Sequence, residues 1–205
     1  MARPRTITDE RILVAAGAVI SRLGPAFTLA DVAAQAGVAS GTLVQRFGSK
    51  HGLLVAMTRA AIDSMRRDMR SAAGEAGDPV AAIVQTLTGR YAPLDDPATA
   101  ANNLAQLAFD LADDELRELM AELHAGMEAE LRPLLHRAVA AGDLPGAPPP
   151  AVAARILAAM ADGTAIHWSA RPAGGLRARM RAELEAVLGG WRPPSEHLTS
   201  LGERP

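Results

Sequence analysis

Between Thr28 and Lys50 the chain reads TLADVAAQAGVASGTLVQRFGSK, and this stretch carries the start, the stop and the buried face of two short helices in one register. The Thr28 hydroxyl can cap free backbone N–H groups, and Asp31 stands where a capping box places an acid. Leu29, Val32, Ala33 and Ala36 then recur at helical spacing. Gly37 can take the left-handed conformation that ends a helix, and Val38 can fold back under the turn. Ser40 is expected to cap the second helix, in which Leu43 and Phe47 fall four apart and share a buried face. Ser40, Gly41, Thr42, Val44, Gln45 and Arg46 remain for the outer faces. Two helices so joined, with one side committed to a core, form a helix-turn-helix whose free side can reach base edges and phosphates.

Charge distribution agrees with a chain that meets DNA through one end. The net charge is -2, yet residues 1 to 50 hold six basic against three acidic side chains, while the remainder is acidic by five. Arg3 and Arg5 lie in an N-terminal arm ahead of the first helix. Lys50 is the sole lysine; every other basic position is arginine.

With 205 residues, 49% of them hydrophobic, the chain can bury a sizeable core. No apolar run approaches the roughly 20 residues that span a bilayer. Ile12 to Ile20 follows acidic Asp9 and Glu10 and shows a helical stripe, which reads as a structural helix and not as a signal sequence. The absence of cysteine removes disulfides, thiolate metal sites and thiol redox sensing, and fits a cytoplasmic location.

The pattern predicts an all-α chain. A helix is expected over Asp9–Leu23, with Gly24 and Pro25 ending it, and a long one from Lys50 to a break at Gly74–Pro79. Others follow over about Val80–Tyr91 and up to Leu111. Asp113, Asp114 and Glu115 open a long helix, within which Pro133 predicts a kink. Gly142–Pro150 (GDLPGAPPP) reads as the clearest linker, and alanine-rich helices follow at about Ala151–Ala170 and Gly174–Leu188. Three parts are therefore expected: a helix-turn-helix domain over residues 1–50, a helical effector-binding and dimerisation domain over 51–191, and a mobile tail over 192–205.

Catalytic patterns are missing. His51, His124, His136, His167 and His197 form no HxH or HExxH arrangement, and no cofactor or metal site is expected. His124 and Glu128 stand four apart, which is the spacing of an exposed helix pair as much as of two metal ligands. Asp110, Asp113, Asp114 and Glu115 suit a helix N-terminus, where the macrodipole favours acids.

The segment over residues 8 to 56 resembles the N-terminal domain of the TetR (tetracycline-repressor-like) family of transcriptional regulators. Thr28, Val32, Ala33, Ala36, Gly37, Val38, Gly41, Thr42, Leu43, Phe47, Ser49, Lys50, Leu53 and Leu54 occupy the places of its pattern. Val44 stands where the family usually has a tyrosine on the DNA backbone, Arg46 where histidine or tyrosine is usual, and Gly52 where an acid often completes the next helix cap. The resemblance implies a homodimeric repressor that leaves a palindromic DNA operator when a small apolar effector binds. DNA contacts are expected from Arg3, Arg5, Thr28, Ser40, Gly41, Thr42, Val44, Gln45, Arg46 and Lys50, the last on a phosphate. In the family an effector pocket lies between the elements that here carry Met57, Met65, Met69, Met120 and Met127, with Tyr91, Asn103, Leu107 and Trp168 nearby. Methionine adapts to a guest and also fills a core, and the sequence leaves both open. Asn102 and Gln106 could orient a polar group. The dimer face is expected on the last two helices, from Ile156, Met160, Gly163, His167, Leu184, Val187 and Leu188. Two alternatives stand beside this reading: an all-helical ligand- or partner-binding protein with weak DNA affinity, and a helical enzyme with an unrecognised site.

Overall fold

The computed structural model describes residues 7–194, and among these every regular element is helical. Three helices make a head: α1 (Asp9–Leu23), α2 (Leu29–Ala36) and α3 (Ser40–Phe47). Six make the body: α4 (Lys50–Glu75), α5 (Pro79–Arg90), α6 (Pro97–Leu111), α7 (Asp114–Ala140), α8 (Pro150–Ala170) and α9 (Leu176–Gly190). Arg3, Arg5 and the expected tail from residue 195 onward lie outside the described residues.

The head forms where the local signals say it should. Thr8 caps α1 by accepting from the Arg11 N–H, and Ile12, Ala16, Val19 and Ile20 point inward. Thr28 and Asp31 close a reciprocal capping box: the threonine oxygen accepts from the Asp31 N–H at 3.3 Å and the carboxylate from the Thr28 N–H at 2.8 Å. Gly37, at φ 71°, ends α2 in the left-handed region, and the Val38 N–H returns to the Ala33 carbonyl at 3.0 Å. That closure fixes where the chain leaves the turn, and it puts Ala39, not Ser40, at the cap of α3. Ala39 holds the extended cap backbone, no side chain closes this end, and Ser40 is already helical.

Ser49 caps α4 by accepting from the Gly52 N–H at 3.0 Å. Gly52 is more than a missing acid: a Cβ there would collide with the Phe47 carbonyl, so the sharp join of α3 to α4 needs a bare backbone.

Two apolar cores result. Ile12, Phe27, Val32, Leu43 and Leu53 fill the head, together with Leu116 from the first turn of α7, so the head rests on the body through shared core. The body core runs through Ile83, Leu87, Met127, Leu131, Leu135, Leu144 and Trp168. Helix α7 lies parallel to α4, tied by Arg66–Glu122 at 3.1 Å and Arg70–Glu130 at 2.6 Å, and it continues as helix through Pro133. The Gly142–Pro150 stretch is pinned: Leu144 is fully buried and the Gly146 N–H donates to the Trp191 carbonyl at 3.0 Å. Among the described residues no helix is long and apolar enough to cross a membrane.

Candidate nucleic-acid interface and internal cavity

Burial fixes the register of α3. Leu43 is fully buried, and Val44 next to it is 52% exposed. Ser40, Gly41, Val44 and Gln45 therefore form an open face, with Thr42 and Arg46 half-buried at its edges. Because no side chain caps α3, its first N–H groups are also free for water or a phosphate oxygen.

Three of the expected DNA contacts are engaged with partners in the protein itself. Thr28 donates its hydroxyl to Asp31 at 2.7 Å as part of the cap. Arg46 donates to Asp9 on α1 at 2.7 Å. Lys50 departs furthest from expectation: its ammonium donates to the Pro25 carbonyl at 2.6 Å and lies 4.2 Å from the Phe27 ring centroid and 5.6 Å from that of Phe109 on α6. Desolvation by this site lowers the Lys50 pKa from the usual lysine range. In this conformation Lys50 joins head to body and does not reach outward, the carbonyl and the two rings partly offsetting the water that its ammonium has lost.

A cavity of about 300 Å³ lies beneath the head. Its walls come from α1, α4, the end of α5, α6, α7 and α8, and among the expected effector residues Met57, Tyr91, Asn103, Leu107 and Met120 line it. Met65, Met69, Met127 and Trp168 do not. The first three are buried in the body core, where Gly126 of α7 faces Met65 of α4: a Cβ there would stand 2.9 Å from the Met65 methyl carbon. Trp168 is core, its indole N–H donating to the Gly174 carbonyl at 3.1 Å.

Of the polar groups that the cavity gathers, sequence reasoning named Tyr91, Asn103 and Gln106 but missed Arg90, His124 and Asp162. Tyr91 donates its hydroxyl to Asp162 of α8, and His124 Nε2 lies 3.5 Å from the other oxygen of that carboxylate. The Asp162 carboxylate raises the His124 pKa above the usual imidazole value against the effect of burial. Burial works to raise Asp162, yet His124 and the Tyr91 hydroxyl hold it below the usual carboxylate value. Desolvation, with Asp162 beside it, pushes the Tyr91 phenol strongly upward. On α6, Gln106 Nε2 donates to Asp110 at 2.7 Å, and burial raises the Asp110 pKa. His124 was legible only as a neighbour of Glu128; its true partner is 38 positions away on another helix.

Helix α6 also grips the head. Asn102 Nδ2 donates to the Ser21 carbonyl of α1 at 2.8 Å, and Gly24, at φ 58°, lies so close that a Cβ would stand 3.2 Å from Asn102 Oδ1. Gly17 and Ile20 of α1 line the cavity directly. Among the described residues no three His, Cys, Asp or Glu side chains gather as a metal site.

On the last two helices, Ile156 and His167 are exposed, and Met160, Gly163 and Val187 are partly so. Leu184 and Leu188 are buried in the subunit's own core, where α9 packs on α5 and α8, so they cannot belong to an outer face.

Residues 12–57 match the family model described as bacterial regulatory proteins, tetR family, and residues 79–190 match the C-terminal model of the BetI-type transcriptional repressors. Among solved structures, a TetR transcriptional regulator from Streptomyces coelicolor is 26% identical over 92% of this chain and 100% of its own, with a TM-score of 0.65. The fatty acid degradation regulator FadR of Bacillus halodurans is 22% identical over 90% of this chain and 100% of its own, with a TM-score of 0.72. SmeT, the repressor of the Stenotrophomonas maltophilia multidrug efflux pump SmeDEF, is 20% identical over 98% of both chains, with a TM-score of 0.68. The last two likenesses concern the fold alone. Comparison with curated proteins returns no match.

Proposed function

Because the chain belongs to the tetR family of bacterial regulatory proteins, we propose that it is a cytoplasmic, homodimeric repressor that a small, largely apolar effector releases from its operator. The observation that carries this reading is the composition of the cavity wall. Gly17 and Ile20 of the DNA-reading head and Leu54 and Met57 at the root of α4 face the same 300 Å³ space as α6 and α7. A guest there touches the head without an intermediary. The walls are apolar apart from a few convergent polar groups, as small-molecule sites generally are.

Reading of DNA falls to the open face of α3. Ser40, Thr42, Gln45 and Arg46 reach base edges or phosphates, and Val44 makes an apolar contact of the kind a thymine methyl offers. Two heads spaced by roughly 34–36 Å read successive turns of a palindrome. The pairing surface is the outer side of α8 and α9, from Ile156, Met160, Gly163, His167 and Val187. An effector can move the heads only by its difference in affinity for the DNA-competent and released states, so a tenfold loss of operator affinity takes about 1.4 kcal/mol of coupling. Operator DNA must then weaken effector binding by the same factor.

Footprinting on the DNA flanking its own gene gives the operator, and a hit from a thermal-shift panel is then titrated with and without that duplex. Equal affinities in the two titrations would show that the molecule is no inducer. A second reading, a helical binding protein with weak DNA affinity, draws on the inward engagement of Arg46 and Lys50 and on Val44 in the place of tyrosine. Failure to retard any flanking fragment specifically would favour it.

A further inference from the structure

Helix α6 turns Asn103, Gln106, Leu107 and Asp110 into the cavity at helical spacing. The hydrogen-bond donors of this wall already have partners: Asn103 Nδ2 donates to the Thr99 carbonyl at 2.8 Å and Gln106 Nε2 to Asp110 at 2.7 Å. The acceptors are not all met. Gln106 is 5% exposed, and its Oε1 is buried with no partner. Such an atom in a folded protein is the exception and calls for a donor. No Lys, Arg or His nitrogen among the described residues lies within ion-pair distance of the Asp110 carboxylate, and the charged neighbour that acts on it is another acid, Asp113.

The other acid of the cavity is balanced. Asp162 receives the Tyr91 hydroxyl, lies against His124 and feels Arg90 beside it. Arg90 Nε is buried without a hydrogen-bond partner, yet its charge is offset there. The cavity carboxylate without a cationic partner is therefore Asp110, on α6.

Resting on the effector cavity described above, we propose that the effector is an apolar amine: its ammonium N–H groups lie between Gln106 Oε1 and the Asp110 carboxylate, and its hydrocarbon body runs along Ile20, Leu54, Met57, Leu107 and Met120. Oxygen acceptors hold the cation here, not rings, since Phe109 is largely exposed and Tyr91 is committed to Asp162. Charge-assisted hydrogen bonds of this kind discriminate strongly against a neutral or anionic head group. The site also places the cation on α6, the helix that holds Ser21 of the head through Asn102.

The test compares octan-1-amine, octan-1-ol and octanoate by calorimetry on the full-length dimer at neutral pH. The three share a chain and differ in the head group. The amine is expected to bind at least about tenfold more tightly than the alcohol. Asp110→Asn is expected to remove that advantage, and Asp110→Glu, which keeps the charge, to retain part of it. Equal affinities for amine and alcohol overturn the proposal, as does a preference for octanoate, which would place the head group at Arg90 and His124. If none of the three binds, the cavity reading fails as a whole and this inference with it.

Discussion

Replacing Asp9 by asparagine frees Arg46 without touching the reading face. The pair is well placed at 2.7 Å, but the Arg46 side chain is 24% and that of Asp9 61% accessible, so water and salt screen it. An exposed pair of this type contributes about 0.2–1 kcal/mol. For Arg46 to reach DNA the pair must open in each head, so Asp9→Asn should return about 0.4–2 kcal/mol to the dimer, a two- to thirtyfold gain in operator affinity. The loss of an acid from the first turn of α1 costs about 0.3–1 kcal/mol at most, and Glu10 and the Thr8 cap remain. Fluorescence anisotropy of a labelled operator between 50 and 300 mM salt reads both quantities, since each added phosphate contact steepens the log–log slope by about 0.9. The gain and the steeper slope should vanish in the Arg46→Ala background. If Asp9→Asn leaves affinity and slope unchanged and only lowers the melting temperature, the pair is a strut of the head and Arg46 does not contact DNA.

Lys50→Met should lower thermal stability and weaken DNA binding while leaving the salt slope unchanged. A slope shallower by about 0.9 per head would return Lys50 to the phosphates. Gly52→Ala sets a helix-propensity gain of about 1 kcal/mol against a backbone collision. The melting temperature should fall by several degrees, whereas Gly126→Ala, which meets only the flexible Met65 tip, should stay within about 1 kcal/mol of the parent; equal melting of the two variants would refute the tight α3–α4 join. His124, raised by Asp162, contributes stability below pH 6.5 that is lost as pH rises through its folded value. Asp162, lowered in turn, contributes above pH 3.8 and loses this as pH falls through its own folded value. Melting curves should therefore show the pair's largest contribution between those limits, and Asp162→Asn should flatten the decline above pH 6.5. Met160→Glu should give monomers in sedimentation that no longer bind operator specifically; a variant that stays dimeric would move the interface elsewhere.

The head was legible because its instructions are local. A threonine and an acid three apart, a glycine before a β-branched residue and two apolar positions four apart each report on one turn of chain, and Thr28, Asp31, Gly37, Val38 and Leu43 act in the structure as their spacing predicts. Ser40 failed where two adjacent residues competed for one cap, a choice made by the path of the preceding turn. The cavity was only half legible. Gly17, Thr58, Arg90, Leu104, His124 and Asp162 come from six helices, and no window along the chain holds two of them at a telling spacing. The methionines divided for a similar reason: Met57 and Met120 line the cavity beneath the head while Met65 and Met127 are buried away from it, and their spacing along α4 and α7 does not tell the two pairs apart. Amphipathic spacing finds the buried side of α9 but does not say whether its own subunit or a second copy covers it, and so Leu184 and Leu188 were assigned to the wrong surface.

With a single lysine in the chain, isotopic labelling of that amino acid yields one side-chain signal, and its position makes that signal a ready-made spectroscopic reporter. The Lys50 ammonium rides over Phe27 of the head and, at a longer distance, over Phe109 of α6. Each ring imposes its own magnetic shielding on the neighbouring methylene protons. A guest that displaces α6 alone would alter the smaller contribution and leave the larger, while a rotation of the head against the body would change both. Magnetic resonance of this one side chain can thus distinguish the two motions in solution without any foreign label at the joint.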